Sequence, residues 1–271
     1  MKNKLLVTIV TFFAMLTAVP AQEKMKTLAI CAITPTPALV EALKGSKKNE
    51  LDRVLQSMDG QLIDRMHNTR KFSIMAHNDL PDVIKGGTFN PDTLKDMPRL
   101  DYVLVVAVDD FGNAPDSPEN GLTFQNARLS AVAKIWATKD STLLETANFQ
   151  LQPEDLPTGG VLGNQILVQA ARKMADRMAN RVTAVLSPPE VQDVTGKIVT
   201  VDWGDGLSLR PGDKWEVCVR KTNKKGFVIL VPVGNVTIKR VDETSSTAEI
   251  IGEDLGIAEG CVLRKADPTR R

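Results

Sequence analysis

The chain has few aromatic residues, few cysteines and almost no net charge. Aromatic residues make up 4% of its 271 residues, so a folded core must be built mostly from aliphatic side chains. Three cysteines are too few for the disulfide scaffold that holds many small secreted domains together. The 34 basic and 33 acidic residues nearly balance, which argues against the extended basic surface that nucleic-acid binding requires. We therefore expect no nucleic-acid partner.

Long apolar runs are absent after the first twenty residues. The run from Leu5 to Val19 follows Lys2 and Lys4 and precedes the small residue Ala21, a pattern typical of a cleavable signal peptide over residues 1–21. It is shorter than the roughly 20 apolar residues of a stable membrane span, although an uncleaved anchor is the alternative. Losing the two lysines changes the net charge from +1 to −1. The sequence predicts an exported protein, periplasmic or extracellular, without a transmembrane helix and with peripheral association with the outer membrane as one option.

Residues 22–187 are predicted to form an α/β domain. Two apolar stripes predict long helices over about 48–68 and 164–186. The stripes consist of Leu51, Val54, Leu55, Met58, Leu62 and Met66, and of Leu167, Ala171, Met174, Met178, Val182 and Val185. Strands are predicted at Thr27–Ile33, Phe72–Met75 and Tyr102–Val108, with a short helix from Asn90 to near Met97 and a hairpin of Ala127–Trp136 and Thr142–Leu151. We expect a mixed sheet centred on Tyr102–Val108 and covered by the two helices.

The second half is predicted to be an all-β domain. Ser187 and the linker Pro188-Pro189 should end the second long helix, because proline lacks the amide that a helix needs. Residues 190–265 alternate short strands with glycine turns, which is typical of a small SH3-like barrel, and residues 266–271 form a tail. Strands are predicted at Val194–Val201, Lys214–Arg220, Phe227–Val241, Ser246–Ile251 and Gly256–Arg264. The fold class is therefore α+β.

Local sequences resemble known envelope families. Leu51–Asp79, Leu100–Gly112 (LDYVLVVAVDDFG) and Ala133–Thr146 are similar to a helix, strand and hairpin of curli-secretion-pore-like proteins. That lineage includes the amino-terminal domain of the Tol-Pal translocation protein B and the penicillin-binding-protein activator lipoproteins. Gly196–Gly212 (GKIVTVDWGDGLSLRPG) resembles the carboxy-terminal domain of the flagellar assembly protein T family. The resemblance implies the fold and an envelope protein concerned with secretion or assembly.

No constellation of residues specifies a reaction. His67 and His77 have no second ligand at metal spacing, so surface or capping roles are expected. Gly159–Gly163 completes no phosphate loop, which leaves a flexible helix start, with anion binding as the alternative. We predict no catalytic, metal-binding or cofactor-binding residue.

Two pairs of carboxylates are candidate sites. Asp109 and Asp110 end the central strand and should point to opposite faces, although a hydrolase site built on them is an alternative. Asp202 and Asp205, in the segment VDWGDG, fit a turn.

Basic residues cluster in two places. Arg220, Lys221, Lys224 and Lys225 surround a hairpin tip, and Arg264, Lys265, Arg270 and Arg271 lie near the tail. A solvated turn and a frayed terminus are the simple interpretation. The alternative is a basic face that binds an acidic cell-wall polymer or an acidic protein.

The three cysteines have different predicted roles. Cys31, in an apolar strand, should be a buried thiol. Cys218 and Cys261 are predicted on barrel strands that meet when the sheet closes. A disulfide between them would stabilise the fold by about 4 kcal/mol in the chain-entropy model, less any strain, and two separate thiols are the alternative.

These observations predict a non-enzymatic exported envelope protein without a cofactor. It would act as a binding or scaffold module that supports the assembly or secretion of a larger structure, with an envelope protein or a second copy as partner. An activator of a cell-wall (peptidoglycan) synthase is the first alternative, and the hydrolase is the second.

Overall fold

The computed structural model describes residues 25–43, 45–80, 90–96, 99–113, 127–151, 164–224, 226 and 228–265. Four sequence predictions lie outside these ranges: the signal peptide over residues 1–21, the glycine-rich segment 159–163, the basic residue Lys225 and the tail at 266–271.

The first half of the chain forms a mixed sheet with two long helices. Its elements are β1 Lys26–Ile30, β2 Thr34–Pro35, α1 Pro37–Ala42, α2 Ser46–Asn68, β3 Phe72–Ala76, β4 Tyr102–Asn113, β5 Ala127–Ala137, β6 Thr142–Gln150 and α3 Asn164–Leu186, with short 3₁₀ helices at His77–Asp79 and Pro91–Asp96. The strand order is β3-β1-β4-β5-β6, parallel from β3 to β4 and antiparallel from β4 to β6. The prediction that residues 102–108 lie at the sheet centre is confirmed.

The helices cover one face of this sheet. The whole predicted stripe of α2 is buried, with Met58, Leu62 and Met66 fully enclosed, and Met174 and Met178 of α3 are equally buried. Buried alanines at positions 170, 175 and 179 let α3 lie close to its neighbours. The side chain of Leu167 lies outside the described residues. This face holds the larger of the two cores of the domain.

The opposite face of the sheet carries a smaller core. It is formed by Ala29, Cys31, Leu80, Leu94, Leu100 and Val103. Burial raises the pKa of the Cys31 thiol to about 12, so the thiol stays protonated at neutral pH. The prediction of a buried Cys31 is confirmed.

The second half forms a six-stranded antiparallel sheet. Its strands are β7 Val191–Thr195, β8 Ile198–Val201, β9 Lys214–Thr222, β10 Val228–Val241, β11 Ser246–Ile251 and β12 Val262–Lys265, in the order β12-β9-β10-β11-β8-β7. The single strand predicted at Val194–Val201 is wrong. Gly196 has a φ of 60°, which lets the chain turn back and form the β7–β8 hairpin.

The sheet curls, but the closed barrel that we predicted is not seen in the described residues. Glu190, directly before the edge strand β7, forms one antiparallel bridge with Val262 of the other edge strand, β12. The backbone amide of Leu263 also donates to the carbonyl of Pro189 at 2.7 Å. The second half of the chain is therefore a curled sheet whose two edges are linked next to the start of β7.

No helix in the described part of the chain is long and apolar enough to cross a membrane.

Candidate functional site

The β9–β10 hairpin extends beyond the sheet that carries it. Strand β12 pairs with β9 only as far as Cys218, and β11 pairs with β10 only from Asn235 onward. Among the described strands, residues 219–222 and 228–231 pair only with each other, and Pro232 pairs with Cys218 where β12 ends. Residues 219–224 and 228–232 are called the ribbon here. At about 3.3 Å per residue, the five β10 residues give it a length of about 16 Å.

The ribbon carries exposed aliphatic side chains. Val228 is 64% exposed, Ile229 44% and Leu230 38%. The cross-strand partners of these three residues are Thr222, Lys221 and Arg220. Consecutive strand residues face opposite sides, so Ile229 faces one side of the ribbon, while Val228 and Leu230 face the other. Both sides therefore show apolar surface next to a basic residue.

The predicted basic face is only partly available for a partner. Arg220 forms an ion pair with Glu190, whose side chain is about as exposed. Arg264, near the tail, pairs with Glu216 on the neighbouring strand. Lys221 and Lys224 are exposed and have no ion-pair partner among the described residues. The available charge of the ribbon therefore lies at its outer end.

Sequence analysis missed the aliphatic part of this surface. We assigned residues 227–241 to one barrel strand and identified only the basic residues at the hairpin tip as a candidate surface. The signal was present, because Val228–Val231 is an uninterrupted apolar run in a hairpin, whereas a half-buried strand alternates apolar and polar residues.

A polar cleft of about 330 Å³ lies where the two halves of the chain meet. The Lys71 ammonium contacts an Asp202 carboxylate oxygen at 2.6 Å and the Asp202 carbonyl at 2.6 Å. Oδ1 of Asp202 also accepts a hydrogen bond from the backbone amide of Glu190 at 2.7 Å. Arg70 pairs with Glu243 at the rim. The charges that line the cleft thus satisfy each other, and the cleft is a junction between domains.

Two glycines allow close backbone contacts at this junction. A Cβ atom on Gly206 would lie 2.9 Å from the backbone oxygen of Asn68, so this glycine lets the two halves approach closely. A Cβ atom on Gly204 would lie 2.3 Å from the backbone oxygen of Glu243, which is a close contact within the second half. Nearby, the Trp203 indole donates to the Ser187 carbonyl at 2.9 Å and meets Trp215 edge to face. The segment VDWGDG, which the sequence predicted as a plain turn, therefore contacts the carboxyl end of α2.

A histidine–carboxylate pair lies at the carboxyl end of the parallel strands. Nδ1 of His77, directly after β3, is 3.2 Å from Oδ2 of Asp59 on α2. Burial raises the pKa of Asp59, while the charge of His77 and the backbone amide of Ile33 lower it. His77 is therefore a half-buried partner of a helix, which the sequence did not indicate because the two residues lie on separate elements. His67 is exposed in the last turn of α2.

Asp109 and Asp110 lie at an irregularity of the central strand. A β-bulge between Val108 and Asp110 interrupts the alternation of β4. Val108 and Phe111 consequently both join the helix-side core, and the expectation that the two carboxylates point to opposite faces stays a prediction. Asp110 lies 3.5 Å from Arg128. Groups of three metal-ligating side chains do not occur among the described residues.

Cys218 and Cys261 are both buried free thiols in the structure. Cys218 lies opposite Val262 in the β9–β12 ladder, and Val262 directly follows Cys261 in the sequence. Burial is the main cause that raises the pKa of Cys218, and Cys261 is near enough to add to the rise. The disulfide between them stays a prediction.

Comparison with known proteins gives partial structural likenesses. No family model and no curated protein matches the chain. The hypothetical protein CT253 from Chlamydia trachomatis is 9% identical and matches over 60% of this chain and 98% of its own, with a TM-score of 0.40. Lipoprotein GNA1162 from Neisseria meningitidis is 10% identical, with 46% and 81% covered and a TM-score of 0.27. TolB from Acinetobacter baumannii is 7% identical, with 87% and 62% covered and a TM-score of 0.35. We therefore infer function from the chain's own residues.

Proposed function

We propose that the protein is an exported, non-enzymatic binding module of the cell envelope that supports the assembly or secretion of a larger structure. The observation that carries this proposal is the ribbon, which presents Val228, Ile229 and Leu230 to solvent. Exposed aliphatic side chains concentrated on one projecting element are typical of interaction sites. The pattern of residues 1–21 supports export, because it has the charged start, apolar run and small residues of a signal peptide.

The junction between the domains supports a role in binding as well. The charged residues that line the cleft pair with each other, Lys71 with Asp202 and Arg70 with Glu243. Two domains joined in this way hold the ribbon in a defined direction, and a preformed binding element needs less ordering when its partner arrives.

In-cell crosslinking tests the proposal. A photoreactive amino acid replaces Lys224 at the ribbon tip, and in a matched control it replaces Lys139, an exposed lysine in the turn between β5 and β6. We expect adducts with an envelope component from position 224 and none, or different ones, from position 139. Equal and unspecific adducts from both positions would contradict a dedicated binding surface.

The activator of a cell-wall synthase remains a narrower version of this proposal. Stimulation of a purified transglycosylase or transpeptidase by the intact protein, and its loss in a ribbon variant, would identify that role.

A further inference from the structure

Both sides of the ribbon expose aliphatic side chains, and this limits what can cover them. Ile229 faces one side, while Val228 and Leu230 face the other. A protein that docks against one side would leave the other side in water. A medium that surrounds the ribbon tip covers both sides at once, and the interfacial region of a lipid bilayer is such a medium.

The charge of the ribbon matches one kind of bilayer. The ribbon contains three basic residues and no acidic one, namely Arg220, Lys221 and Lys224. Lys221 lies directly opposite Ile229, so an aliphatic side chain and an ammonium group share one face. Long lysine side chains can bury their stems in an apolar layer while the ammonium groups stay at the headgroup level. Basic residues beside exposed aliphatic ones fit anionic headgroups better than neutral ones.

We infer that the ribbon attaches the protein peripherally to an anionic phospholipid surface. The three aliphatic side chains enter the interface, and Lys221 and Lys224 contact the headgroup phosphates. Arg220 remains paired with Glu190 and keeps the ribbon in line with its sheet. The inference rests on the proposed function and specifies the surface that the binding module meets. An acidic cell-wall polymer would pair with the lysines but would make no use of the aliphatic side chains.

Vesicle flotation tests the inference with the chain from residue 22 onward. The vesicles contain either phosphatidylcholine alone or phosphatidylcholine mixed with phosphatidylglycerol. We expect binding to the mixed vesicles, at least tenfold weaker binding to the neutral ones, and weakening by salt because exposed charges are screened. Replacing Val228, Ile229 and Leu230 together by serine should reduce binding at least tenfold. Lys221→Gln with Lys224→Gln should remove the preference for anionic lipid.

A matched control separates the ribbon from exposed aliphatic residues in general. Leu143 and Leu144 on β6 are consecutive and exposed to 42% and 41%. Their double replacement by serine should leave vesicle binding unchanged. A second readout uses Ile229→Trp, whose fluorescence should shift to shorter wavelength with anionic vesicles if the side chain leaves water.

Three results obtained with binding vesicles or with soluble polymer would overturn the inference, and so would a lack of vesicle binding. The first is unchanged vesicle binding by the triple serine variant, and the second is no shift from Ile229→Trp. The third is tight binding of soluble polyglutamate that depends on the lysines alone, which would assign the ribbon to acidic polymers. If vesicles do not bind while position 224 crosslinks to an envelope protein in cells, the lipid inference fails and the proposed function stands.

Discussion

The two ends of the β9–β10 pair differ sharply although they belong to the same strands. At the root, Val217, Val236 and Ile238 are fully buried in the core of the second half. At the tip, Val228 and Ile229 are 64% and 44% exposed. The residue types are alike at both ends, so composition alone does not decide which aliphatic residues are covered. The packing of other elements against the side chains decides it.

This difference shows that β10 is longer than its core requires. Strand β10 has 14 residues, whereas its partner β11 has 6. A strand end without further neighbours gains little stability from its own aliphatic residues, because water still reaches them. We therefore interpret the tip as an interaction surface and the root as part of the fold.

Placing a charge at each end gives the largest expected contrast. Val236→Asp puts an unpaired carboxylate in the core and should lower the free energy of unfolding by roughly 3–5 kcal/mol. Val228→Asp, at an exposed position, should change it by less than about 0.5 kcal/mol. Urea unfolding followed by tryptophan fluorescence measures both. Similar losses for the two variants would show that the tip is packed and would remove the contrast.

A covalent link at the root would sharpen the same contrast. We predict that Cys218 and Cys261 form a disulfide in the exported protein. The disulfide would stabilise the root by about 4 kcal/mol, reduced by the cost of any strain in the bond, and would leave the tip unaffected. Unfolded, unreduced protein should then show one reactive thiol per chain. Three reactive thiols would eliminate the disulfide and leave the free thiols of the structure.

Sequence patterns predicted the long helices and the strand at the sheet centre correctly, because these depend on local periodicity. The stripe of α2 is buried at every predicted position, and β4 lies in the middle of its sheet. The patterns failed where the outcome depends on distant neighbours. The exposure of Val228 depends on where β11 and β12 end, and the contact between Asp59 and His77 depends on how α2 lies over β3. The bulge at Asp109 follows from the β4–β5 register, which one strand alone does not reveal.

The junction between the two halves of the chain should respond to a single methyl group. Gly206→Ala places a Cβ atom 2.9 Å from the backbone oxygen of Asn68, so backbone must move, at a cost of about 1–3 kcal/mol. Gly60→Ala is the control, because it lies within α2 with nothing within 4 Å and should stabilise the helix by about 0.5–1 kcal/mol. Thermal unfolding measures both variants. If Gly206→Ala were neutral, the close approach between the two halves would be absent.

The smallest expected effects concern the pH dependence of stability. They compare a half-buried carboxylate, Asp59, with an exposed one. Burial raises the pKa of Asp59 above its ordinary value of 3.8, so its contribution to stability is present below 3.8 and is lost as the pH rises through the raised pKa. Asparagine mimics the protonated form, and Asp59→Asn should therefore gain stability relative to the unmodified protein as the pH rises from 3.8.

Asp254 provides the opposite case within the second domain. The backbone amides of Ile257 and Gly256 donate to its carboxylate and lower its pKa below 3.8. Its contribution is therefore present above 3.8 and is lost as the pH falls through the lowered pKa. As the pH rises from the lowered pKa to 3.8, Asp254→Asn should therefore become less stable relative to the unmodified protein. Urea unfolding at stepped pH measures both variants, and slopes of the same sign would show that burial does not distinguish the two carboxylates.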